Sequence, residues 1–349
     1  MPSGNPVDVT SVFVRYRDHL EAVLRAAIPS ETSVPEIYDV LRYHLGWLDL
    51  DLVPTLARAG KLLRPTLCLL SCEAVGADFR RALPAAAALE LLHNFSLIHD
   101  DVEDRGLERR GRPTVFARWG EPLAVNAGDA MLVLSELALA RATDSGLGAP
   151  ETLAMLIHLN ECCLRLTEGQ HLDLRLEGNP SLTRMDYFRL VSGKTASLLG
   201  CSARLGALSG SASPERAEAF DRFGSNVGIG FQIQDDVLGI WGDTKATGKP
   251  PAADIYGRKV TLPIIDALAI AEPSAARRIA AIYRAPAPTG AEVIEVVELL
   301  DRLGVRERSE REALFYVERG LVDLASAQPT EQAGAELVAL TRSLLGRIA

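Results

Sequence analysis

From about Val9 to the C-terminus, apolar residues recur every three or four positions, and no stretch alternates apolar and polar residues between hairpin turns. That periodicity confines the chain to an all-α architecture. It predicts helices over 10–27, 35–47, 50–58, 63–75, 80–104, 121–143, 150–176, 184–209, 214–242, 260–270, 273–283, 290–303, 305–325 and 330–347. The breaks fall where Gly, Pro and Ser gather, as in DSGLGAP, EGNPSL, LSGSASP, TGKPPAAD and RAPAPTG. Aromatic residues make up only 5% of the chain, which further weights the balance away from strand. With no long linker and no fixed-period repeat, residues 1–349 read as a single helical domain with 1–8 as a flexible N-terminus. The charged and Gly/Pro-rich segment 243–259, DTKATGKPPAADIYGRK, reads as a lid loop.

Composition narrows the class of function. A hydrophobic share of 48% supplies a core, and a net charge of −9 argues against a general nucleic-acid surface. The five cysteines, Cys68, Cys72, Cys162, Cys163 and Cys201, form no C-x-x-C pair, so they read as reduced, buried thiols of a cytoplasmic protein. The first twenty residues lack a basic region followed by an apolar stretch, the mark of a signal peptide. No apolar run approaches the roughly 18 residues of a membrane span.

Two acidic clusters stand out. SLIHDDVEDRG places Asp100, Asp101 and Asp104 at the end of an apolar helix, within one arc of about 100°. FQIQDDVLGIWGD repeats the arrangement with Asp235 and Asp236, and Gln232 lies one turn earlier. Carboxylates near a helix C-terminus oppose the helix dipole as well as one another. Hard oxygen ligands of this kind suit Mg²⁺, which keeps several waters and bridges to substrate phosphates. Cations for those phosphates are present too: Lys61 and Arg64 in GKLLRP, Arg109 and Arg110 in ERRGRPT, Lys194 in SGKTASL, Lys249 in TGK and Lys259 in GRKVTLP. GKT is not a nucleotide P-loop, because Phe188 stands where the first glycine belongs.

In order and spacing, GKLLRP, HNFSLIHDDVED, RRGRPT, NAGDAML, GQHLDL, GKTASLLG, FQIQDD and KVTLP resemble the trans-polyprenyl diphosphate synthases over about residues 50 to 270. The resemblance implies an isoprenoid-synthase-type helical bundle around a deep apolar cavity, a homodimer, and condensation of isopentenyl diphosphate with an allylic diphosphate. It further implies three Mg²⁺ ions per site, held by Asp100, Asp101 and Asp104 on one side and Asp235, with Asp236 near, on the other. Lys194, Lys249, Arg109 and Lys259 would neutralise the allylic diphosphate, and Thr195 and Gln232 would flank the carbocation left when it departs. Isopentenyl diphosphate would sit on Lys61, Arg64, His93 and Arg110.

Three positions depart from the pattern: Leu62 for a basic residue, Gly239 for the third aspartate of the second cluster, and Arg258 for a glycine. Asp243 is the candidate to replace that missing carboxylate through water. Chain length in such enzymes depends on the residues below the first acidic cluster, here Ser96, Phe95 and Leu92. An aromatic five positions before the first aspartate, a small residue four before and no insertion resemble the type that makes geranylgeranyl diphosphate, with farnesyl diphosphate the alternative. A terpene cyclase would lack the isopentenyl diphosphate set, and the chain has no N-x-x-x-S-x-x-x-E pattern. A non-catalytic subunit of a two-component enzyme would have lost an acidic cluster. A metal phosphohydrolase would converge several histidines, whereas His99 reads as a packed helix residue.

Overall fold

The computed structural model describes residues 7–30, 32–55, 62–242, 251–285 and 287–346. The helices described are α1 (Val9–Ala27), α2 (Pro35–His44), α3 (Leu63–Ala74), α4 (Leu83–Glu103), α5 (Val115–Trp119), α6 (Glu121–Ala140), α7 (Ala149–Leu176) and α8 (Arg184–Val191). They continue with α9 (Ser197–Ser209), α10 (Pro214–Trp241), α11 (Ala253–Tyr256), α12 (Leu262–Ile270), α13 (Pro273–Arg284), α14 (Gly290–Arg302), α15 (Val305–Ser326) and α16 (Glu331–Leu345). The chain packs as two compact units. One holds Met1–Glu161, Ser202–Glu218 and Gln328–Leu337, the other Cys162–Cys201, Ala219–Ala327 and Val338–Ala349.

The first unit is built on α4, which is apolar all round and therefore buried. Ala85 to Ala88, Leu89, Leu91 and Leu92 have no exposed surface, and each leucine contributes roughly 1.5–3 kcal/mol by leaving water. The most extensive packing partner of α4 is α6. The second unit has two apolar clusters. Ile255, Ile264, Ile279, Ile282, Val296, Leu300 and Val305 form one, and Tyr187, Val191, Ile233, Leu262 and Ala313 form the other. Thr183 and Asp186 fix the start of α8 through a reciprocal capping box.

Four local departures from the periodicity have identifiable causes. The helix expected over 50–58 does not form in its described part. Asp49 instead accepts the backbone N–H groups of Asp51 and Val53, each at 2.9 Å, Leu52 is left-handed at φ 59, and Leu48 bridges to Pro54. A two-residue hairpin, β1 (Glu108–Arg109) and β2 (Arg112–Pro113), stands where no strand was expected. Arg110 and Gly111 both take positive φ at its tip, 55 and 73, which matches the twist of a two-residue hairpin turn. Between α8 and α9 the backbone widens into a π-helical turn over Ser192–Ala196 instead of continuing as α-helix. Finally, Asp129 and Glu136 interrupt α6, yet the segment Glu121–Ser145 is long and apolar enough by average hydropathy to cross a membrane. Less than half of its most apolar stretch is buried, and α4 is the most extensive packing partner of α6. All five cysteines are free thiols, and four of them are buried.

Candidate active site

In the first unit, α4 delivers its three aspartates into different surroundings. Asp101 is 4% exposed, Asp100 is half-buried and Asp104 is exposed at the helix end. Burial pushes the Asp101 carboxyl up, and the Arg109 guanidinium works against that. The Arg109 fork approaches Asp101 with Nε at 2.9 and 3.1 Å and Nη2 at 2.8 Å. The hairpin carrying Arg109 is pinned from the other side: the Tyr43 hydroxyl donates to the Pro113 carbonyl at 2.9 Å, and the Arg112 guanidinium lies over the Tyr43 ring at 4.2 Å.

The expected isopentenyl diphosphate set gathers in the same unit. Arg64 Nη1 lies 3.2 Å from His93 Nε2. Burial, then Arg64, Arg110 and Arg109, hold His93 well below its ordinary range, so it is a neutral hydrogen-bonding group there. His44, which drew no notice in the sequence, belongs to this group. Burial, then Arg110 and Arg109, push it down to about 3. With Arg109, Arg110, Arg112 and Thr114 it lines a cavity of about 120 Å³. Asp101 lines it too, so three guanidinium groups and a neutral imidazole stand against one carboxylate, a balance that favours an anion. Lys61 lies outside the described residues.

Phe95 stacks edge-on against His99, with ring centroids 4.9 Å apart, and retains 9% exposure, whereas Leu92 has none. The Ser96 hydroxyl is turned back to the His93 carbonyl at 2.8 Å. His99 packs over Gly128, and its Nε2 sits 3.2 Å from the Val125 carbonyl, the packed role expected of it.

In the second unit, Asp236 is 1% exposed and enclosed by its neighbours. The Tyr187 hydroxyl donates to it at 2.7 Å, Gln232 Nε2 at 3.1 Å and the Leu262 backbone N–H at 3.4 Å, and Lys259 Nζ lies at 3.5 Å. Asp235, its neighbour, is exposed. Thr195 donates to Gln232 Oε1 at 2.8 Å, so Thr195, Gln232, Asp236 and Tyr187 form one relay. Lys194 Nζ rests on Asp173 at 2.6 Å. Asp173 stands in GQHLDL and was missed as a site residue. Burial tends to lower Lys259, but Asp236, Asp254, Asp235 and Asp173 together hold it firmly protonated.

Lys194 and Thr195 owe their position to the π-helical turn and to two glycines. A Cβ on Gly169 of α7 would come within 2.2 Å of the Lys194 nitrogen, and one on Gly193 within 2.7 Å of the Arg165 carbonyl. The two backbones touch there, and only glycine permits it. Arg258 takes φ 53, the left-handed conformation that a glycine would adopt without strain. Lys249 and Asp243 lie outside the described residues.

The donor set fits Mg²⁺. All the acidic candidates are oxygen donors, and among the described residues no three metal-ligating side chains converge on one point. Mg²⁺ bound through one or two carboxylates plus substrate phosphates needs no such convergence.

Comparison with known proteins identifies the arrangement. A family model for polyprenyl synthetase matches residues 47–300. The geranylgeranyl diphosphate synthase of Mycobacterium tuberculosis is 40% identical over 291 residues, 83% of this chain and 81% of that one. The (2E,6E)-farnesyl diphosphate synthase of Mycobacterium bovis is 38% identical over 317 residues, 90% of this chain and 87% of that one. The crystal structure of a polyprenyl synthetase from Streptomyces coelicolor A3(2) superposes with a TM-score of 0.89 at 32% identity, covering 97% of this chain and all of that one. Two acidic clusters, an arginine-rich cavity beside the first of them and these relatives lead to one conclusion: the chain belongs to the polyprenyl synthetase family and is a prenyltransferase.

Proposed function

We propose that this enzyme condenses isopentenyl diphosphate with an allylic diphosphate and releases a trans-prenyl diphosphate, with geranylgeranyl diphosphate as the main product and farnesyl diphosphate as the alternative. One observation carries the reading. Besides its carboxylates, the first unit holds a cationic group in which Arg64 lies 3.2 Å from His93, and Arg110 and Arg109 act electrostatically on that histidine. A cyclase handles one diphosphate, whereas a condensing enzyme must hold two.

Asp100, Asp101 and Asp104 on one side and Asp235 on the other would hold Mg²⁺, three ions per site in this reading, with Asp236 near. Bound there, Mg²⁺ supplies the charge neutralisation that makes diphosphate a good leaving group. Lys194, Lys249, Lys259 and Arg109 add fixed positive charge at the same diphosphate. Breaking the C1–O bond leaves an allylic cation, and the double bond of isopentenyl diphosphate attacks it. The proton then lost goes to the released diphosphate. The relay fixes the Thr195 oxygen and the Gln232 carbonyl, the two dipoles assigned to the cation. Lys61, Arg64, His93 and Arg110 hold isopentenyl diphosphate, and neutral His93 donates to it without competing for its charge.

Residues 1–349 act as one catalytic domain in this reading, supported by the relatives that cover most of its length. Leu123, Val125, Val133 and Leu137 on α6 and Leu153 and Ile157 on α7 are exposed, apolar surface that supports a homodimer.

The test is elongation by the purified protein with Mg²⁺, isopentenyl diphosphate and dimethylallyl, geranyl or farnesyl diphosphate in turn. The expected result is a twenty-carbon product from each primer, longer in Phe95→Ala if that ring closes the tail cavity. Cyclic hydrocarbon in place of elongation would assign the chain to the cyclases instead.

A further inference from the structure

The helix carrying the second acidic cluster has a gap in it. Gly239 lies four residues after Asp235 and three after Asp236, on the same arc of α10. The gap is filled from elsewhere in the chain. A Cβ built on Gly239 would meet Asp254 Oδ2 at 2.1 Å, Cγ at 2.5 Å and Oδ1 at 3.0 Å. The carboxylate of Asp254, from α11, therefore stands in the volume that a side chain at 239 would occupy.

Its surroundings connect it to the cluster. The Asp254 side chain is 11% exposed, and Lys259 Nζ lies 4.0 Å from Asp254 Oδ2 and 3.5 Å from Asp236 Oδ1. The backbone supports this placement, since the Lys259 N–H donates to the Asp254 carbonyl at 2.8 Å and the left-handed Arg258 turns the chain back over α11. Asp173, Asp235, Asp236 and Asp254 all act electrostatically on Lys259, and Lys194 is the other ammonium among them. Among the described residues, four carboxylates stand against two ammonium groups here, a surplus of negative charge that a cation would balance.

Resting on the reading that Asp235 serves a divalent cation, we propose that Asp254 is the third carboxylate of this cluster, a positioning residue that fills the place of Gly239 and keeps Lys259 beside Asp236. It acts through Lys259 and through the water that Mg²⁺ retains, as outer-shell carboxylates do around other metals.

The experiment is a Mn²⁺ titration of the purified full chain, followed by electron paramagnetic resonance, with inorganic diphosphate present. The isosteric variant Asp254→Asn should bind Mn²⁺ about tenfold more weakly, as should Asp254→Gly. The exchange variant Gly239→Asp with Asp254→Gly should recover most of that loss, because it returns a carboxylate to the same volume from the α10 side. Wild-type affinity in Asp254→Asn, or an exchange variant no tighter than Asp254→Gly, would overturn the proposal. If the wild-type protein itself took up no Mn²⁺ with diphosphate, the metal–diphosphate reading would fall first and this proposal with it.

Discussion

The two acidic clusters begin from nearly the same sequence, an adjacent aspartate pair after an apolar run, and the fold treats them differently. At the end of α4, Asp101 is buried against an arginine fork, a full positive charge supplied by a strained hairpin. On α10, Asp236 is buried against a tyrosine hydroxyl, a glutamine amide and a backbone N–H, with Lys259 further off. In each pair one carboxylate is buried and its neighbour, Asp100 or Asp235, lies nearer to solvent. A buried carboxylate must be matched by hydrogen bonds or charge, whereas a metal ligand must remain reachable, and one side chain meets both demands poorly. Doubling the aspartate separates the two tasks.

The strongest way to break this comparison is kinetic. Asp100→Asn and Asp235→Asn should each lower the elongation rate by about a hundredfold or more with the circular dichroism melt unchanged, as expected for groups in direct touch with a metal. Near-normal turnover in either would remove that residue from the metal set. An equal loss in Asp101→Asn or Asp236→Asn, again without loss of stability, would erase the division between the buried and the more accessible members.

A second test uses acid, because the histidines ring only the first cluster's arginines. His44 is lowered in the folded chain, to about 3 from its ordinary 6.5, so the unfolded chain takes up a proton before the folded one does. Stability from this site is therefore complete above about pH 6.5 and declines as the pH falls toward 3, by about 2 kcal/mol at pH 5. Urea unfolding at pH 7 and pH 5 should show a smaller drop in His44→Gln than in the wild type. Parallel drops would mean that His44 titrates normally.

The smallest effect should come from Tyr187→Phe. It removes one of several donors to Asp236 and should cost about 1.5 kcal/mol, read as a lower melting temperature. No change in melting would show that the other donors close around Asp236 without it.

The helical architecture was legible because apolar spacing reports which face of each segment is buried, and α4 and α10 both carry that signal up to their aspartates. The paired acids and the basic motifs were legible by residue type. What escaped depended on partners distant in sequence or on local backbone choice. Asp49 captures two N–H groups and so replaces a helix turn that periodicity favoured. His44 has no motif around it and becomes part of the arginine-rich cavity only because the hairpin folds over it. Asp173 was in view as part of GQHLDL, but its contact with Lys194 depends on α7 meeting the π-helical turn. Asp254 lies fifteen positions from Gly239, and nothing in either residue announces that one occupies the other's space.

The backbone contact between Gly169 and Gly193 has a consequence for how this enzyme would look in a comprehensive mutational survey. Neither residue bears a functional group, yet even one added methyl at either would push apart the strands of main chain that aim Lys194 and Thr195. Both positions should tolerate as few replacements as the aspartates proposed to hold Mg²⁺. A survey blind to structure would score these two glycines as reactive centres, when what they contribute is room.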